Sequence, residues 1–277
     1  MSLSSFKNSP PSTKTFLLSF PAPHIILITI NRPDTLNVLD FSAQHELEEV
    51  FNWYNSEPEL RAAIITGAGE KAFCAGLDIK SLDAENLPQV SQFPPKGFGG
   101  LGRRTDNLKP IIAAVNGFAM GGGMEMVLAC DIVVAHENSI FGLPEVKRGL
   151  VAMGGGLTRL VRFIGYQRAC EIIMTGRNIS AKECKELGIV NEIVSSSKLV
   201  IPTALKYATR IARNSPDAVQ ASKLAILLSL NSTSLTEADQ RHLDSKEVRA
   251  WLEGENIKKG LYAFHEKKTP KWKNAKL

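Results

Sequence analysis

The feature that most constrains the fold is a set of short apolar segments in the first half of the chain, each closed by a turn. They lie at residues 24–30, 62–66, 110–115 and 132–135. Their nearly continuous apolar character is typical of strands that are buried on both faces. Between the first two segments, apolar residues recur at helical spacing, at Leu47, Val50, Phe51 and Tyr54. Strand and helix signals that alternate in this way predict an α/β architecture.

The second half of the chain carries helix signals instead. Capping boxes begin at Ser180 and Ser234, and Pro202 and Pro216 suit the first position of a helix. Residues 189–194 form the last strand pattern. We therefore expect a disordered Ser- and Pro-rich arm over residues 1–16, an α/β core over 17–200 and a helical region over 201–277.

Composition excludes several classes of protein. The chain has 277 residues and is 44% hydrophobic, which is enough for a large core without disulfides. Its four cysteines lack the spacing of metal ligands, so we expect no zinc site. No apolar run approaches the ~18 residues of a membrane span, which predicts a soluble protein. The net charge of +5 fits either nucleic acid or a small polyanionic ligand.

The last three residues bear on location. Ala275-Lys276-Leu277 is a small–basic–leucine ending, close to the Ser-Lys-Leu address that the peroxisomal import receptor reads. We therefore expect a peroxisomal protein, with the cytoplasm or the mitochondrion as the alternative. A solvated lysine-rich tail would give the same three residues.

A run of three glycines, Gly121–Gly123, follows a strand pattern and opens an apolar helix. The free N–H groups of such a helix end bind a phosphate or a developing oxyanion, although a tight packing turn has the same sequence. Glu125 lies one turn further on, where a surface charge near the helix end is the simpler explanation. Glu145 follows a proline turn and would otherwise be a solvated loop acid. Together, two carboxylates in different surroundings can divide acid and base roles.

Two further segments surround this pattern. Ala75-Gly76 after the second strand exposes backbone N–H groups, and Asp78 suits the cap of a following helix. Residues 81–107 are irregular and rich in Pro and Gly, as expected of a lid, a pocket wall or a linker.

Several motifs in one order resemble the enoyl-CoA hydratase/isomerase (crotonase) superfamily over residues 24–272. They are Phe-Cys-Ala-Gly-x-Asp-Ile-Lys at 73–80, Lys-Pro-Ile-Ile-Ala-Ala-Val-Asn-Gly at 109–117, Gly121–Glu125, Phe-Gly-x-Pro-Glu at 141–145, Thr175-Gly176 and the closing stretch at 263–270. The resemblance implies an α/β fold, a spiral of ββα repeats, with a C-terminal helical region that forms trimers or dimers of trimers. Residues 97–100 and 145–150 look more like the carnitinyl-CoA dehydratase branch.

The resemblance also implies a site and a reaction. Leu77 and Gly122 would donate the two N–H groups of an oxyanion hole for the thioester oxygen. Glu125 would activate water at Cβ and Glu145 would exchange the proton at Cα, so that a 2-enoyl-CoA is hydrated or the reverse dehydration runs. No metal or redox cofactor is implied.

Coenzyme A contacts carried over from the family fall at Leu36, Val38, Ala75, Asp78, Ile79, Lys267 and Lys268. The alternatives are a Δ3,Δ2-enoyl-CoA isomerase, a carnitinyl-CoA-dehydratase-like enzyme, and a protein that binds RNA or acyl-CoA without turnover. Nucleic acid is the less favoured partner, because the basic residues are interleaved with acids along the chain.

Overall fold

The computed structural model describes residues 6–83, 85 and 89–275. Its strands are β1 (Phe16–Ala22), β2 (Ile25–Ile30), β3 (Ala62–Gly67), β4 (Ala72–Cys74), β5 (Ile111–Val115), β6 (Phe118–Met120), β7 (Ile132–His136), β8 (Ile140–Gly142), β9 (Ile179–Ser180) and β10 (Glu192–Val194). Its helices are α1 (Phe41–Ser56), α2 (Gly122–Ala129), α3 (Gly156–Ile164), α4 (Tyr166–Thr175), α5 (Ala181–Glu186), α6 (Val200–Ala212), α7 (Pro216–Asn231), α8 (Leu235–Leu243), α9 (Lys246–Glu253) and α10 (Glu255–His265).

The strands form two sheets, and from β3 to β8 successive strands of the chain join the two sheets alternately. The larger sheet has the order β1-β2-β3-β5-β7-β10, and all its pairs are parallel except β1 with β2. The smaller sheet has the order β4-β6-β8-β9, with only the last pair antiparallel. In the strand pairs β3–β4, β5–β6 and β7–β8 the first strand joins the large sheet and the second joins the small one. The chain therefore advances as a spiral, as the resemblance implied.

Burial explains why the strand signals were clear. Every residue of β3 and of β5 is buried, because helices or the second sheet cover both faces of the large sheet. Helix α1 begins at Asp40, whose side chain accepts a hydrogen bond from the N–H of Ala43, and it ends before Pro58 as predicted. Its buried face carries the four apolar residues that gave the helical pattern.

Helix α6 opens the C-terminal helical region at Val200 and packs on the large sheet. In α6, Val200, Ala204 and Ala208 join the same buried cluster as Ile64 of β3 and Ile112 of β5. These small side chains let the helix approach the strands closely.

The helix-start signals were mostly confirmed. Ser180 and Ser234 cap α5 and α8, and Pro216 is the first residue of α7. Pro202 differs, because it is the third residue of α6 rather than the first. A proline is tolerated there since the first four N–H groups of a helix have no internal acceptor. Strand β10 is shorter than the 189–194 pattern.

Within the predicted arm, the part described from residue 6 onward lies against the body. The ring of Phe6 packs on Phe20 and on Trp53, with centroids 4.8 Å and 5.4 Å away. The indole N–H of Trp53 also donates to the carbonyl of Asn8 at 3.0 Å. Residues 1–5 of the arm lie outside the described residues.

Two searches of the described residues bear on other classes of function. Every helix found there is too short or too polar to cross a lipid bilayer. Across residues 6–83, 85 and 89–275, His, Cys, Asp and Glu side chains form no group of three or more that could hold a metal ion.

Candidate active site

The loops that follow the parallel strands are tied together by two buried asparagines. The side-chain amide of Asn37 donates to the carbonyl of Ala72 at 2.7 Å. The amide of Asn116 donates to the carbonyls of Gly67 and Gly69 at 3.0 Å and 2.7 Å. The loops after β2, β3 and β5 are thereby fixed to one another at the carboxyl ends of their strands, where α/β folds commonly place ligands.

The amino end of α2 lies at this edge. Gly121 precedes the helix with a positive φ of 54°, and its N–H donates to the carbonyl of Gly142 at 2.9 Å. No side chain of the described residues caps α2. The N–H of Gly122, the first helical residue, has no acceptor within the helix, and it carries the positive end of the helix dipole.

Leu77 is held beside this helix end by its neighbours. Leu39 donates its N–H to the carbonyl of Gly76 at 2.9 Å and accepts from the N–H of Asp78 at 3.1 Å. Since successive N–H groups of an extended chain point to opposite sides, the N–H of Leu77 points away from Leu39. A Cβ on Gly76 would lie 3.2 Å from the nitrogen of Gly122. The two predicted oxyanion donors therefore lie in adjoining segments.

Glu125 is buried in the first turn of α2, with 3% of its surface exposed. Its Oε1 accepts a hydrogen bond from the N–H of Gly156 at 2.9 Å. Burial raises the pKa of this carboxyl to about 7; the charge of Glu145 raises it further, whereas the amides of residues 154–156 lower it. A surface charge that stabilises the helix end, the simpler sequence interpretation, is wrong for a carboxyl buried to this extent.

Glu145 lies in the 3₁₀ turn Pro144–Arg148, directly over the start of α2. A Cβ on Gly121 would lie 2.9 Å from its Oε1, so a side chain at residue 121 would displace this carboxyl. Its Oε2 is buried and has no hydrogen-bond partner among the residues described. Burial raises its pKa, which the charge of Arg148 partly offsets. The alternative of a solvated loop acid does not fit this half-buried carboxyl, whose Oε2 has no partner among the described residues.

The two carboxyls thus approach the same helix end from two directions. Glu125 lies inside α2 and Glu145 lies over the residue that precedes it. Burial raises both pKa values, and the charge of Glu145 raises that of Glu125 further. Two carboxyls in different surroundings can divide the roles of acid and base.

Two features of the site escaped the sequence predictions. The first is a cradle of backbone N–H groups at residues 154–156, which hydrogen-bond the Glu125 carboxylate. The run of three glycines at these positions could have indicated it. The ring of Phe98 packs directly on Gly122, where any side chain would overlap it. Phe98 and its neighbours Gly99 and Gly100 are buried, so this part of the irregular 81–107 segment is a wall of the site.

The predicted coenzyme A segments lie next to each other. The carbonyl of Leu36 accepts from the N–H of Ala75 at 3.0 Å, and the carbonyl of Val38 accepts from Arg32 at 3.2 Å. The guanidinium of Arg32 also lies 3.6 Å from the carboxylate of Asp78. Asp78 precedes a short 3₁₀ turn but its side chain makes no cap, which corrects the alternative role suggested by sequence.

The remaining predicted coenzyme A contacts lie in two different places. The side chain of Ile79 in that 3₁₀ turn is 42% exposed, available to a ligand. Lys267 and Lys268 follow α10 and are exposed, and Lys268 Nζ lies 3.4 Å from Glu266. Within the described part of one chain, neither lysine has a hydrogen bond or ion pair with the residues of the site.

Comparison with known proteins decides the family. The sequence model described as enoyl-CoA hydratase/isomerase matches residues 22–275. The chain belongs to the enoyl-CoA hydratase/isomerase family. It is 43% identical to the mevalonyl-coenzyme A hydratase of Aspergillus fumigatus over 96% of this chain and 98% of that one. It is 40% identical to the carnitinyl-CoA dehydratase of Salmonella typhi, over 90% and 95% of the two chains.

Solved structures agree with this family and with the predicted crotonase fold. The enoyl-CoA hydratase of Bacillus anthracis superimposes with a TM-score of 0.83 at 36% identity, covering 94% of this chain and 99% of that one. The hydratase EchA1 of Mycobacterium marinum gives 0.84 at 37% identity, covering 93% and 98%. The protein is thus an enzyme of the hydratase type, a carbon–oxygen lyase that acts on CoA thioesters.

Proposed function

We propose that the chain adds water across the 2,3 double bond of a 2-enoyl-CoA, or removes it in the reverse direction. The observation that carries this proposal is the placement of Glu125 and Glu145 at one uncapped helix end, beside the segment of Leu77. An isomerase that moves one proton needs a single carboxyl group. Two buried carboxyls with raised pKa values suit a reaction that handles both a water molecule and a proton.

The chemistry follows from these groups. The thioester oxygen accepts hydrogen bonds from the N–H groups of Leu77 and Gly122. Glu125, as carboxylate, takes a proton from water while the water oxygen bonds to Cβ, and the π electrons move towards the thioester as an enolate. Glu145, as carboxylic acid, delivers a proton to Cα and the enolate collapses. One water is added in total, and proton exchange between the two carboxyls restores the starting state.

The acyl group that we propose is short and carries a hydroxyl. The name of one relative, at 43% identity, contains mevalonyl, a short acyl group that keeps a hydroxyl at C5 when its C3 hydroxyl leaves as water. The coverage of 90% or more of each chain supports a substrate of the same chemical class.

An activity screen tests the reaction. Purified protein is incubated with 2-enoyl-CoA thioesters of varied chains, including 5-hydroxy-3-methyl-2-pentenoyl-CoA, and with 3-enoyl-CoA. We expect loss of the conjugated-enoyl absorbance and a product heavier by one water. Faster conversion of 3-enoyl-CoA to its conjugated isomer would make the protein an isomerase instead. Binding without turnover would make it an acyl-CoA-binding protein.

Three further expectations belong to this proposal. The reaction needs no cofactor, since backbone N–H groups and carboxyls supply its acid, base and oxyanion chemistry. The chain assembles as a trimer or a dimer of trimers, which exposed apolar side chains on α9 and α10, such as Leu252 and Phe264, support. It enters the peroxisome through Ala275-Lys276-Leu277, of which the last two residues lie outside the described residues. Sedimentation analysis and deletion of the three terminal residues test the last two statements.

A further inference from the structure

Gln44 presents a problem that the proposed reaction does not explain. This residue of α1 is 0% exposed. Both its amide oxygen and its amide nitrogen are buried without a hydrogen-bond partner among the residues that the structure describes. Burying an amide without a partner costs free energy, and an apolar side chain would remove that cost.

The surroundings of Gln44 place it at the wall of the active site. Along α1, Leu47 contacts the position of Gly99 and Glu48 contacts that of Gly100. Gln44 lies one turn nearer the amino end of the helix, on the same face as Leu47. The irregular segment that contains Phe98 also contacts the start of α1, because Phe93 packs on Phe41 there.

Gly99, which Leu47 contacts, directly follows Phe98, whose ring packs on Gly122. Just before α1, the backbone of Leu39 is paired with the segment of Leu77. Gln44 thus lies on the stretch of chain between Leu39, which is paired with the segment of Leu77, and Leu47, which packs at the segment of Phe98. We expect the acyl group of a bound thioester to extend along these two segments.

We propose that Gln44 is a specificity-determining residue that hydrogen-bonds a hydroxyl group on the acyl chain of the substrate. An amide offers both a donor and an acceptor, which together match a hydroxyl that donates and accepts. Leu39 and Leu47, the nearest members of the chain used in this argument, belong to the apolar core and offer the amide no partner, which leaves the substrate as its partner in the proposal. This inference rests on the proposed function, and it names the group that selects one thioester among many.

The wild-type enzyme gives the first test. Its kcat/KM is measured with 5-hydroxy-2-pentenoyl-CoA and with 2-hexenoyl-CoA, in which a methyl group replaces the hydroxyl. The pair 4-hydroxy-2-pentenoyl-CoA and 4-methyl-2-pentenoyl-CoA places the group one carbon nearer. We expect a preference of roughly 10- to 100-fold for the hydroxylated member of at least one pair, the effect of one buried hydrogen bond. Equal or better use of both apolar members would overturn the proposal.

The second test is Gln44→Met, which keeps the length of the side chain and removes the amide. The preference for the hydroxylated substrate should fall by the same roughly 10- to 100-fold. The rate with the apolar member and the melting temperature should stay the same or rise, because an unpartnered amide has gone. Leu47→Met is the matched control: it changes an apolar side chain on the same face and should leave the preference unchanged.

The outcomes separate this inference from the proposed function. If the wild type hydrates enoyl thioesters but Gln44→Met lowers activity equally on both members of a pair, Gln44 is structural and the inference is wrong. If Gln44→Met fails to fold, the wild-type preference decides alone: a preference for the hydroxylated member supports the inference, and equal use of both members overturns it. If the wild type hydrates none of the thioesters, the proposed function itself has failed.

Discussion

The backbone N–H of Gly156 donates to Oε1 of Glu125 across 31 positions of sequence, at 2.9 Å. This contact joins the first residue of α3 to the first turn of α2. It fixes the orientation of a carboxyl whose surroundings otherwise favour the neutral form. A general base held in this way keeps its position relative to a water molecule, which is what acid–base catalysis requires.

The cradle can be disturbed without touching the carboxyl itself. A methyl group on Gly154 would overlap Oε2 of Glu125, so Gly154→Ala should displace the carboxylate. We expect kcat to fall about 100-fold with little change in KM, because a misplacement of about 1 Å is costly in catalysis. Steady-state kinetics measures both. Gly260→Ala, in α10 and away from the site, is the control; equal kcat for the two variants would mean that the cradle has no role.

The rate should depend on pH through the carboxyl pair. Below both pKa values neither group is a base, and above both neither is an acid. Since burial raises the pKa of Glu125 to about 7 and also raises that of Glu145, kcat should peak near neutral pH and fall on both sides. A profile of kcat from acid to alkaline pH measures this. A rate that stays flat across the whole range would contradict the pair assignment.

Stability should show the cost of ionising Glu125. Its pKa is near the usual 4.5 in the unfolded chain and about 7 in the folded protein, so the folded state binds the proton more tightly. The free energy of unfolding therefore falls as pH rises from about 4.5 to about 7, and stays low above that. Glu125→Gln should then stabilise the protein at pH 8, by up to about 3 kcal/mol, and much less at pH 4.5. Urea denaturation at the two pH values decides this; a stabilisation equal at both would contradict the raised pKa.

Arg32 should matter for binding rather than for chemistry. Its guanidinium contacts the carbonyl of Val38 and the carboxylates of Asp40 and Asp78, so it holds the predicted coenzyme A segments together. We expect Arg32→Met to raise KM about 3- to 10-fold and to leave kcat within about 2-fold, because the reacting groups stay in place. Arg241→Met removes an exposed ion pair in α8 and is the control. A drop in kcat with unchanged KM would contradict this role.

The sequence predicted the elements that local patterns determine. Buried strands such as β3 and helix α1 follow from apolar runs and apolar spacing, and Ser180 marks a helix start because its cap is a local contact. The resemblance supplied Glu125 and Glu145, which sequence pattern alone favoured as structural acids. Only the fold shows that both are withdrawn from water at one helix end.

Other features depend on tertiary contacts that no local pattern contains. Gln44 is a polar residue of the amphipathic helix α1, and the spacing of apolar residues alone does not reveal that it is fully buried. The cradle for Glu125 depends on backbone directions at residues 154–156, which are set by packing against the distant residues 97–102. The local pattern predicted that the side chain of Asp78 caps a helix. In the fold, its carboxylate pairs with Arg32 instead.

The most direct test of the account is the hydration rate of the Glu125→Gln and Glu145→Gln variants. Glutamine keeps the shape of each side chain and, at position 125, an oxygen that can accept from Gly156. With the best 2-enoyl-CoA of the screen, loss of the conjugated absorbance gives kcat for each variant, for both together and for the surface control Glu49→Gln. We predict that each single variant loses about 10²- to 10⁴-fold in kcat and that the double variant loses little more, because the two groups act as a unit. A rate within about 2-fold of wild type for either single variant would contradict the claim that these two glutamates run the reaction.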